Sequence, residues 1–264
     1  CNKKPSSKNK IKTQKVLEVD DPSFDRSTGE FKVDQHTIAL WHFNEGFLSK
    51  KVENEMISYD ASPKGNHGII VRGKWGKGIF KSCLDLSGRG DSFEVDDDDL
   101  KLSPTHAVTV EAWLFLNEIQ NAPYPLIISK ATTTEGNGDP TYTFVFINYR
   151  HDEFPEYSVY WMVSTKEGGT VHVTSHEHWN RLVGAWHYIA GTYNGKEIKM
   201  YIDGVLKDRK ELKGILNTGN RSLLVGSKGG QEMNGLIDEI RISNVARSKK
   251  AIKEYWEGTK RFRK

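Results

Sequence analysis

Cysteine and long apolar runs are scarce in this sequence. Its 264 residues include two cysteines, Cys1 and Cys83. Cys1 begins a stretch rich in Lys and Ser, so a disulfide with Cys83 is not favoured, and Cys83 is expected to be a small buried strand residue. No apolar run approaches the roughly 18 residues that a membrane-spanning helix needs. The sequence therefore predicts neither a disulfide-based scaffold nor a membrane-spanning helix.

Positive charge is missing from the middle of the chain, although the formal net charge is +3. Residues 1–16 hold six lysines and no acid, and residues 247–264 hold eight Lys or Arg against two Glu. Between these ends, acidic residues outnumber basic ones by nine. A nucleic-acid surface needs positive charge on the folded body, so no nucleic-acid partner is predicted. The basic N-terminal stretch is compatible with an anionic membrane surface.

Residues 186–206, which read W-H-Y-I-A-G-T-Y-N-G-K-E-I-K-M-Y-I-D-G-V-L, predict a three-stranded meander. Asn194-Gly195 and Asp203-Gly204 separate three short runs of strand-forming residues. Both dipeptides tolerate the positive φ angles of type I′ turns, which join antiparallel strands. Alternation places Ile198, Met200 and Ile202 on one apolar face of the middle strand.

This meander closely resembles the central signature of laminin-G-like jellyroll domains, in the concanavalin A-like lectin/glucanase superfamily. Further matches to that family are W-H-F-N-E-G (41–46), D-A-S-P-K-G-N-H-G (60–68), A-V-T-V-E-A-W-L-F-L (107–116) and G-L-I-D-E-I-R-I-S (235–243). With about a dozen short strands between turns, the chain is predicted to be all-β, a two-sheet antiparallel jellyroll β-sandwich. Trp41, Trp113 and Trp186 are expected in its core. A short C-terminal amphipathic helix is expected within 244–256, anchored by Val245, Ile252 and Trp256.

Two units are predicted along the chain: a flexible tether over 1–32 and the jellyroll domain over 33–264. Within the tether, the F-D-R-S-T-G-E segment could pack against the domain. Cys1 followed by N-K-K-P-S-S-K-N-K resembles the start of a mature bacterial lipoprotein, in which that cysteine carries lipid chains. The resemblance implies lipid attachment at Cys1 and a place in the bacterial cell envelope, at the outer membrane or cell surface. The alternative is a chain that merely happens to begin at cysteine.

A calcium site is the sharpest chemical hypothesis. Strict alternation in G-L-I-D-E-I-R-I-S places Asp238 on the same face as Leu236, Ile240 and Ile242. A buried carboxylate there needs a cation or several hydrogen-bond donors. In the resembling family, the D-x-S loop and this aspartate can meet around calcium, which implies the ligands Asp60, Asn66, Gly68 and Asp238. The alternative is that the aspartate caps a loop through backbone N–H groups.

The segment N-Y-R-H-D-E-F-P-E-Y (148–157) is the predicted ligand-binding loop. It combines aromatic rings, which stack on sugar faces, with Arg and Asp, which bind hydroxyls. Tyr149, Arg150 and Asp152 are the named candidates, and the alternative is that the rings simply pack under a long loop. The acid run Asp96–Asp99 is expected to be a solvated loop. His176 and His178 could pair on zinc, but a surface location is favoured.

The sequence predicts a non-catalytic protein. The motifs G-x-S-x-G, H-E-x-x-H and the P-loop do not occur. Glucanases of the resembling superfamily place acids at alternate positions of one strand, whereas Asp238 and Glu239 are adjacent and are expected to face opposite ways. The expected role is binding of a carbohydrate or of an envelope or host protein. The alternatives are a polysaccharide hydrolase or lyase and a structural or adhesion protein.

Overall fold

The computed structural model describes residues 18–47, 56–87, 90–118, 125–131, 140–147, 158–176, 178–226 and 232–263. Two antiparallel sheets pack face to face, and one α-helix follows them near the C-terminus, which confirms the predicted fold class. The strands are β1 (Glu18–Val19), β2 (Thr37–Trp41), β3 (Met56–Ser58), β4 (Gly68–Val71), β5 (Lys74–Lys77), β6 (Ser82–Ser87), β7 (Ser92–Val95), β8 (Val108–Leu116), β9 (Leu126–Ala131), β10 (Pro140–Ile147), β11 (Ser158–Thr165), β12 (Gly169–Thr174), β13 (Trp186–Tyr193), β14 (Glu197–Ile202), β15 (Val205–Glu211), β16 (Leu223–Val225), β17 (Asn234–Ser243) and β18 (Ala246–Arg247). The helix α1 spans Lys249–Gly258, and short 3₁₀ helices span Glu45–Phe47, Trp179–Leu182 and Lys260–Phe262.

The strand order interleaves distant parts of the chain. The first sheet runs β12-β11-β10-β9-β16-β7-β4-β3, and the second runs β15-β14-β13-β8-β17-β6-β5. β17 is central to the second sheet because β8 pairs along one side of it, while β6 and then β2 pair along the other. The short strands β1 and β18 pair in parallel. The two ends of the described chain are thereby held together.

The core between the sheets is built from alternating inward residues. Ile198, Met200 and Ile202 of β14 are buried there, as the sequence predicts. Trp161 of β11 is fully buried and packs against the backbone of β13, where a Cβ on Gly191 would lie 2.3 Å from the indole. Any side chain at that position would force the sheets apart, since real Cβ contacts are not this short.

The two turns of the meander differ. Asp203 and Gly204 have φ angles of 54° and 73°, which confirms a type I′ turn between β14 and β15. The Asn194-Gly195 turn is not of this type, because only Gly195 has a positive φ, of 85°. The Asn194 side-chain oxygen instead accepts from the backbone N–H groups of Lys196 and Glu197, at 3.0 and 2.9 Å. This Asx turn lengthens the loop to three residues.

A second apolar cluster covers the outer face of the second sheet, the face turned away from the first sheet. Phe24 and Phe31 from the N-terminal segment, with Ile252 and Tyr255 from α1, pack on outward side chains of that sheet. Residues 18–32, assigned to the tether by sequence, therefore belong to the folded body, which begins earlier than the predicted boundary at residue 33. The two phenylalanines provide the physical reason, because they bury aromatic surface that a tether would leave in water.

Helix α1 is placed by its cap and by two buried side chains. Ser248 is the N-cap, and its hydroxyl accepts from the backbone N–H of Ala251 at 3.2 Å. Ile252 is fully buried, as predicted. Tyr255, which the sequence analysis did not select, is also fully buried, and its hydroxyl accepts from Trp113 Nε1 at 2.8 Å. No helix in the described ranges has both the length and the apolar character needed to cross a membrane.

A buried ionic network ties the N-terminal segment to this face. Arg241 donates twice to Glu111 Oε2, at 2.9 and 2.7 Å, and both side chains are almost completely buried. The same guanidinium donates to the carbonyl oxygens of Pro22 and Ser23, at 3.0 and 2.8 Å. It also lies 3.9 Å from the centre of the Phe31 ring. Arg241 thus neutralises a buried acid and also fixes the N-terminal segment through hydrogen bonds to its backbone.

Arg247 extends the network. It donates to the Asp21 carbonyl at 2.6 Å and to Asp34 Oδ2 at 2.7 Å, and its Nε lies 3.7 Å from Glu111 Oε2. Buried charges are tolerated when they are paired and hydrogen-bonded, as these are. The segment from Asp21 to Asp34 is therefore held by ions as well as by its two phenylalanines.

We predict that Arg241→Met destabilises the protein by about 3–5 kcal/mol, because it leaves Glu111 buried without its main counterion. Urea denaturation gives the free energy of unfolding. Arg209→Met is the matched control, since Arg209 is an exposed arginine of β15. A loss no larger than that of the control would contradict a structural role for the network.

Candidate functional site

The Asp60 carboxylate is saturated by protein donors. Its Oδ1 accepts from the backbone N–H groups of Leu40 and Ser62, at 2.9 and 2.8 Å. Its Oδ2 accepts from the Ser62 hydroxyl at 2.7 Å and from the Asn66 N–H at 2.9 Å. The Asn66 side chain in turn donates to the Ile38 carbonyl at 2.8 Å. This arrangement is that of a loop cap, which satisfies backbone donors without a cation.

Asp60 and Asn66 are joined by a hydrogen bond, but among the described residues no hydrogen bond joins either of them to Asp238. Asp60 and Asp238 share no hydrogen-bonding partner among the residues that the structure describes. Gly68 lies against the core, where an added Cβ would meet the Phe93 ring at 2.2 Å. Calcium binding by this set stays a prediction. Capping, which the sequence analysis gave as the alternative for Asp238, is the geometry observed at Asp60, and Asp238 also accepts one backbone N–H, from Ile79.

A β-bulge in β17 decides where its two acids point. Asp238 pairs with Trp113 and Arg241 pairs with Glu111, so two residues of β17 face the single residue between those partners on β8. Glu239 within the bulge has a φ of 54°. Such a bulge inserts one residue and shifts the alternation of side chains from that point onward.

The predicted faces of this strand are therefore wrong in part. Ile240 and Ile242 lie in the core between the sheets, whereas Asp238 stands opposite the outward Trp113. Glu239 also points outward, because its carboxylate accepts from the backbone N–H of Phe31 at 2.7 Å. The two acids share the outer face instead of facing opposite ways. Period-2 alternation gives no warning of this, because the bulge carries no glycine.

Asp238 keeps one oxygen without a partner. The residue is 1% exposed, and its Oδ2 accepts from the Ile79 N–H at 3.0 Å. Among the described residues, Oδ1 has no hydrogen-bond donor of good geometry. Burial raises the pKa of Asp238 well above its ordinary value, and the neighbouring Glu239 carboxylate raises it further, although the backbone N–H groups of Ile79, Phe80 and Glu239 all act to lower it. A buried acid in this position is satisfied by a proton or by a cation.

Next to Asp238, three further side chains form a compact polar cluster that the sequence analysis missed. Ligand atoms of Glu30, His42 and Glu239 lie within 4.8 Å of one another, close enough to hold a metal ion. Their charges are also matched internally, with His42 Nδ1 2.5 Å from Glu239 Oε1 and Lys81 Nζ 2.7 Å from Glu30 Oε1. Burial alone would lower the pKa of His42, but Glu239 outweighs it and the pKa is raised. The cluster escaped prediction because Glu30 was placed in the tether.

Several predicted residues lie outside the described part of the chain. These are the ligand-loop candidates Tyr149, Arg150 and Asp152 and the lipid-attachment candidate Cys1. Their roles stay predictions. Cys83 is a fully buried strand residue, as expected.

The structure also describes the acid run Asp96–Asp99 and His176. The acid run is not wholly solvated, because Asp97 is buried and pairs with the buried Lys130 at 2.8 Å. His176 is half exposed, and its Nε2 lies 3.2 Å from Asp208 Oδ2, which fits a surface location.

An open groove lies between the Asp203-Gly204 turn and helix α1. It consists of two depressions of about 670 and 580 Å³ that share the lining residues Trp186 and Arg263. We call them together the Trp186 groove. The larger is also lined by His187, Asp203, Val205, Lys253, Trp256, Glu257 and Lys260, and the smaller by Lys77, Ile79, Phe115 and Phe262. Trp186, predicted to be a core residue, is only partly buried here.

The aromatic and polar groups of the groove are held in place. The Phe115 and Trp186 rings pack with centroids 5.7 Å apart. Arg263 lies 3.3 Å above the Trp256 ring, and its Nη2 donates to the Trp256 carbonyl at 2.9 Å. Aromatic surface flanked by fixed polar groups is the usual makeup of a small-ligand site.

The acid at the turn is fixed as well. Asp203 Oδ2 lies 2.7 Å from His187 Nδ1, and its Oδ1 accepts from the Tyr188 N–H at 3.0 Å. This carboxylate thereby orients the imidazole that lines the groove. The sequence suggested the Asp203 turn but not the groove, because the opposite wall comes from α1, some 50 residues later in the chain.

Solved structures of similar shape include a toxin receptor-binding domain and one domain of an arabinanase. The receptor-binding domain of botulinum neurotoxin C/D mosaic serotype matches with a TM-score of 0.62 and 15% identity, covering 86% of this chain and 52% of that one. Domain 4 of AbnA, an extracellular arabinanase from Geobacillus stearothermophilus solved with arabinotriose, matches with a TM-score of 0.60 and 16% identity. That match covers 83% of this chain and 98% of the domain. Identities this low show the fold alone.

Sequence comparison adds a distant relative and a family. Human pappalysin-1 is 27% identical over 178 residues, which is 64% of this chain but 11% of pappalysin-1. The chain thus corresponds to a small part of that protein. The family model described as the concanavalin A-like lectin/glucanases superfamily matches residues 87–253, well over half of the chain. Together with the two-sheet sandwich, this match shows that the chain belongs to the concanavalin A-like lectin/glucanases superfamily.

Proposed function

We propose that this protein binds a carbohydrate in the Trp186 groove and does not catalyse its cleavage. The observation that carries the proposal is the partly exposed Trp186 at the junction of two depressions, with fixed polar side chains on both sides. The C–H faces of sugars stack on such rings, and carboxylate, imidazole and ammonium groups bind their hydroxyls. Asp203, His187 and Lys253 supply those groups here.

Membership of a lectin-containing superfamily supports this proposal. So does the likeness to an arabinanase domain solved with arabinotriose and to a toxin receptor-binding domain. Because folds host many functions, the groove itself must carry the argument. The predicted loop around Tyr149 stays a second candidate for ligand contact.

A non-catalytic role is supported by the position of the acids. Asp238 and Glu239 share a face but are 1% and 0% exposed, beneath Phe31 and the Ile79 backbone. Neither lines the Trp186 groove. A glycosidase needs two carboxyl groups that reach the scissile bond, and the two that line the groove, Asp203 and Glu257, are engaged by His187 and Lys253. Release of reducing ends from a bound polysaccharide, abolished by changing one carboxylate, would instead establish the enzyme alternative.

We predict that Trp186→Ala lowers glycan affinity at least about tenfold, which corresponds to ~1.4 kcal/mol, because the stacking surface is lost. A glycan array identifies the ligand, and titration calorimetry measures the loss. Tyr59→Ala is the matched control, since Tyr59 is an exposed aromatic residue outside the groove. Unchanged binding in Trp186→Ala would contradict the site.

A protein partner is the main alternative occupant. Absence of any hit on the array, together with specific capture of one envelope or host protein, would replace the carbohydrate proposal. The capture should then depend on Trp186 if the groove is the contact surface.

We also propose that calcium, where it binds, is held at Asp238 and not at Asp60. The support is the contrast between them: Asp60 uses both oxygens on protein donors, whereas Asp238 Oδ1 has no described donor. Glu239, the next residue along β17, belongs to the cluster of Glu30, His42 and Glu239, whose carboxylate oxygens are the hard ligands that calcium prefers. Bound calcium would supply positive charge that lets Asp238 and Glu239, whose pKa values are raised by burial, ionise together.

Calcium is expected to raise the melting temperature of the wild-type protein by a few degrees, and a chelator should reverse this, because a ligand of the native state stabilises it. Asp238→Asn should remove the response. Asp60→Asn is the informative comparison. It should lower stability by about 1–3 kcal/mol through lost hydrogen bonds, while keeping the calcium response. A wild-type melting temperature that is indifferent to calcium would contradict the cation site.

A further inference from the structure

We infer that the ligand of the Trp186 groove is an acidic oligosaccharide, whose carboxylate is bound by Arg263 and Lys260. This inference rests on the proposed function and narrows it to a substrate class. The carrying observation is the charge of the lining, in which four cationic side chains face two carboxylates.

The cations come from both sides of the groove. Lys253, Lys260 and Arg263 follow one another along α1 and the 3₁₀ helix behind it, and Lys77 lies at the end of β5 across the smaller depression. Lys77 and Lys260 are exposed, and within the described residues neither makes an ion pair. Their charges are therefore available to a ligand.

The two acids of the groove are already engaged. Asp203 accepts from the Tyr188 N–H and contacts His187. Glu257 lies 3.6 Å from Lys253, in an exposed pair. Lys77 and Lys260 then remain without an ion pair among the described residues, and Arg263 shares the nearby charge of Asp203, which already contacts His187, so a neutral sugar would leave the groove positive.

Arg263 is the preorganised member of the set. Its guanidinium stacks on Trp256 and is anchored to the Trp256 carbonyl, so little side-chain freedom remains to be lost on binding. Its planar donors match a carboxylate in a two-point contact, which an ammonium cannot reproduce. Because Arg263 lines both depressions, a carboxylate bound to it would place the attached sugar ring beside Trp186.

The positive groove contrasts with the rest of the folded body. Residues 17–246 carry nine more acidic than basic residues, whereas three basic residues that follow them, Lys253, Lys260 and Arg263, line the groove. The net negative charge of that longer stretch works against binding of a long polyanion, so the groove is expected to favour a short acidic segment. This distribution is the reason to choose an acidic glycan over nucleic acid.

The test compares matched pairs of ligands on the full chain. Oligogalacturonate, oligoalginate and hyaluronate fragments are each titrated beside their methyl esters, which keep the sugar rings but lack the charge. We expect at least one acid form to bind about tenfold or more tightly than its ester, and that difference to shrink as salt rises past about 0.1 M. A single-stranded DNA of equal charge is titrated in parallel.

Three variants identify which positive side chains bind the acidic ligand. Arg263→Gln and Lys260→Gln should each weaken binding of the acid form several-fold and leave binding of the ester unchanged. Lys64→Gln removes an exposed charge on the distant Asp60 loop and should change neither. Melting temperatures close to wild type confirm that the variants are folded.

The outcomes distinguish failure of the acidic-ligand inference from failure of the proposed glycan binding. Equal binding of acids and esters, lost in Trp186→Ala, overturns the acidic class but keeps a glycan site. Absence of binding by every acid and ester overturns the inference, and the array result then decides the fate of glycan binding itself. DNA binding as tight as that of the best acid overturns it in favour of a general polyanion surface.

Discussion

The ion network around Glu111 and Arg241 is the constraint on which the rest of this molecule depends. Both charges lie on the outer face of the second sheet, where each is buried only because the other is present. The arginine's remaining donors require the carbonyls of residues 22 and 23, so the network is complete only when the N-terminal segment is folded back. Pairing of the buried charges on the sheet and docking of the N-terminal segment therefore depend on each other, since a buried charge that lacks its partners is strongly destabilising.

This covered face also explains where a ligand can bind. The N-terminal segment and α1 cover most of the outer face, and Tyr255 fixes the helix by accepting from Trp113. Beside them, within the described residues, the margin between α1 and the Asp203-Gly204 turn is open and forms the Trp186 groove. The helix therefore has two roles: its buried side chains stabilise the sheet, and its exposed basic side chains form one wall of the groove.

Sequence patterns correctly predicted regular strand alternation and a local turn, and they missed the bulge and the contacts between residues distant in sequence. The alternation of Ile198, Met200 and Ile202 and the Asp203-Gly204 turn predicted the meander correctly, because both depend on local geometry. The bulge at Glu239 broke the alternation of β17 without a glycine to mark it. The cluster of Glu30, His42 and Glu239 joins residues far apart in the chain, so only the folded topology brings them together.

Charge counted along the sequence likewise does not show where charge lies in the folded protein, and this difference bears on function. Read along the chain, the basic residues after 246 look like a terminal tail, and the acidic middle argues against anionic partners. In the folded protein most of those residues lie on α1 and the turn that follows it, and three of them, Lys253, Lys260 and Arg263, line one groove. Because charge acts over roughly a Debye length, about 8–10 Å in physiological salt, a partner responds to the local set and not to the chain average. The sign of the groove, and not the net charge of the protein, is therefore the quantity that should select the ligand.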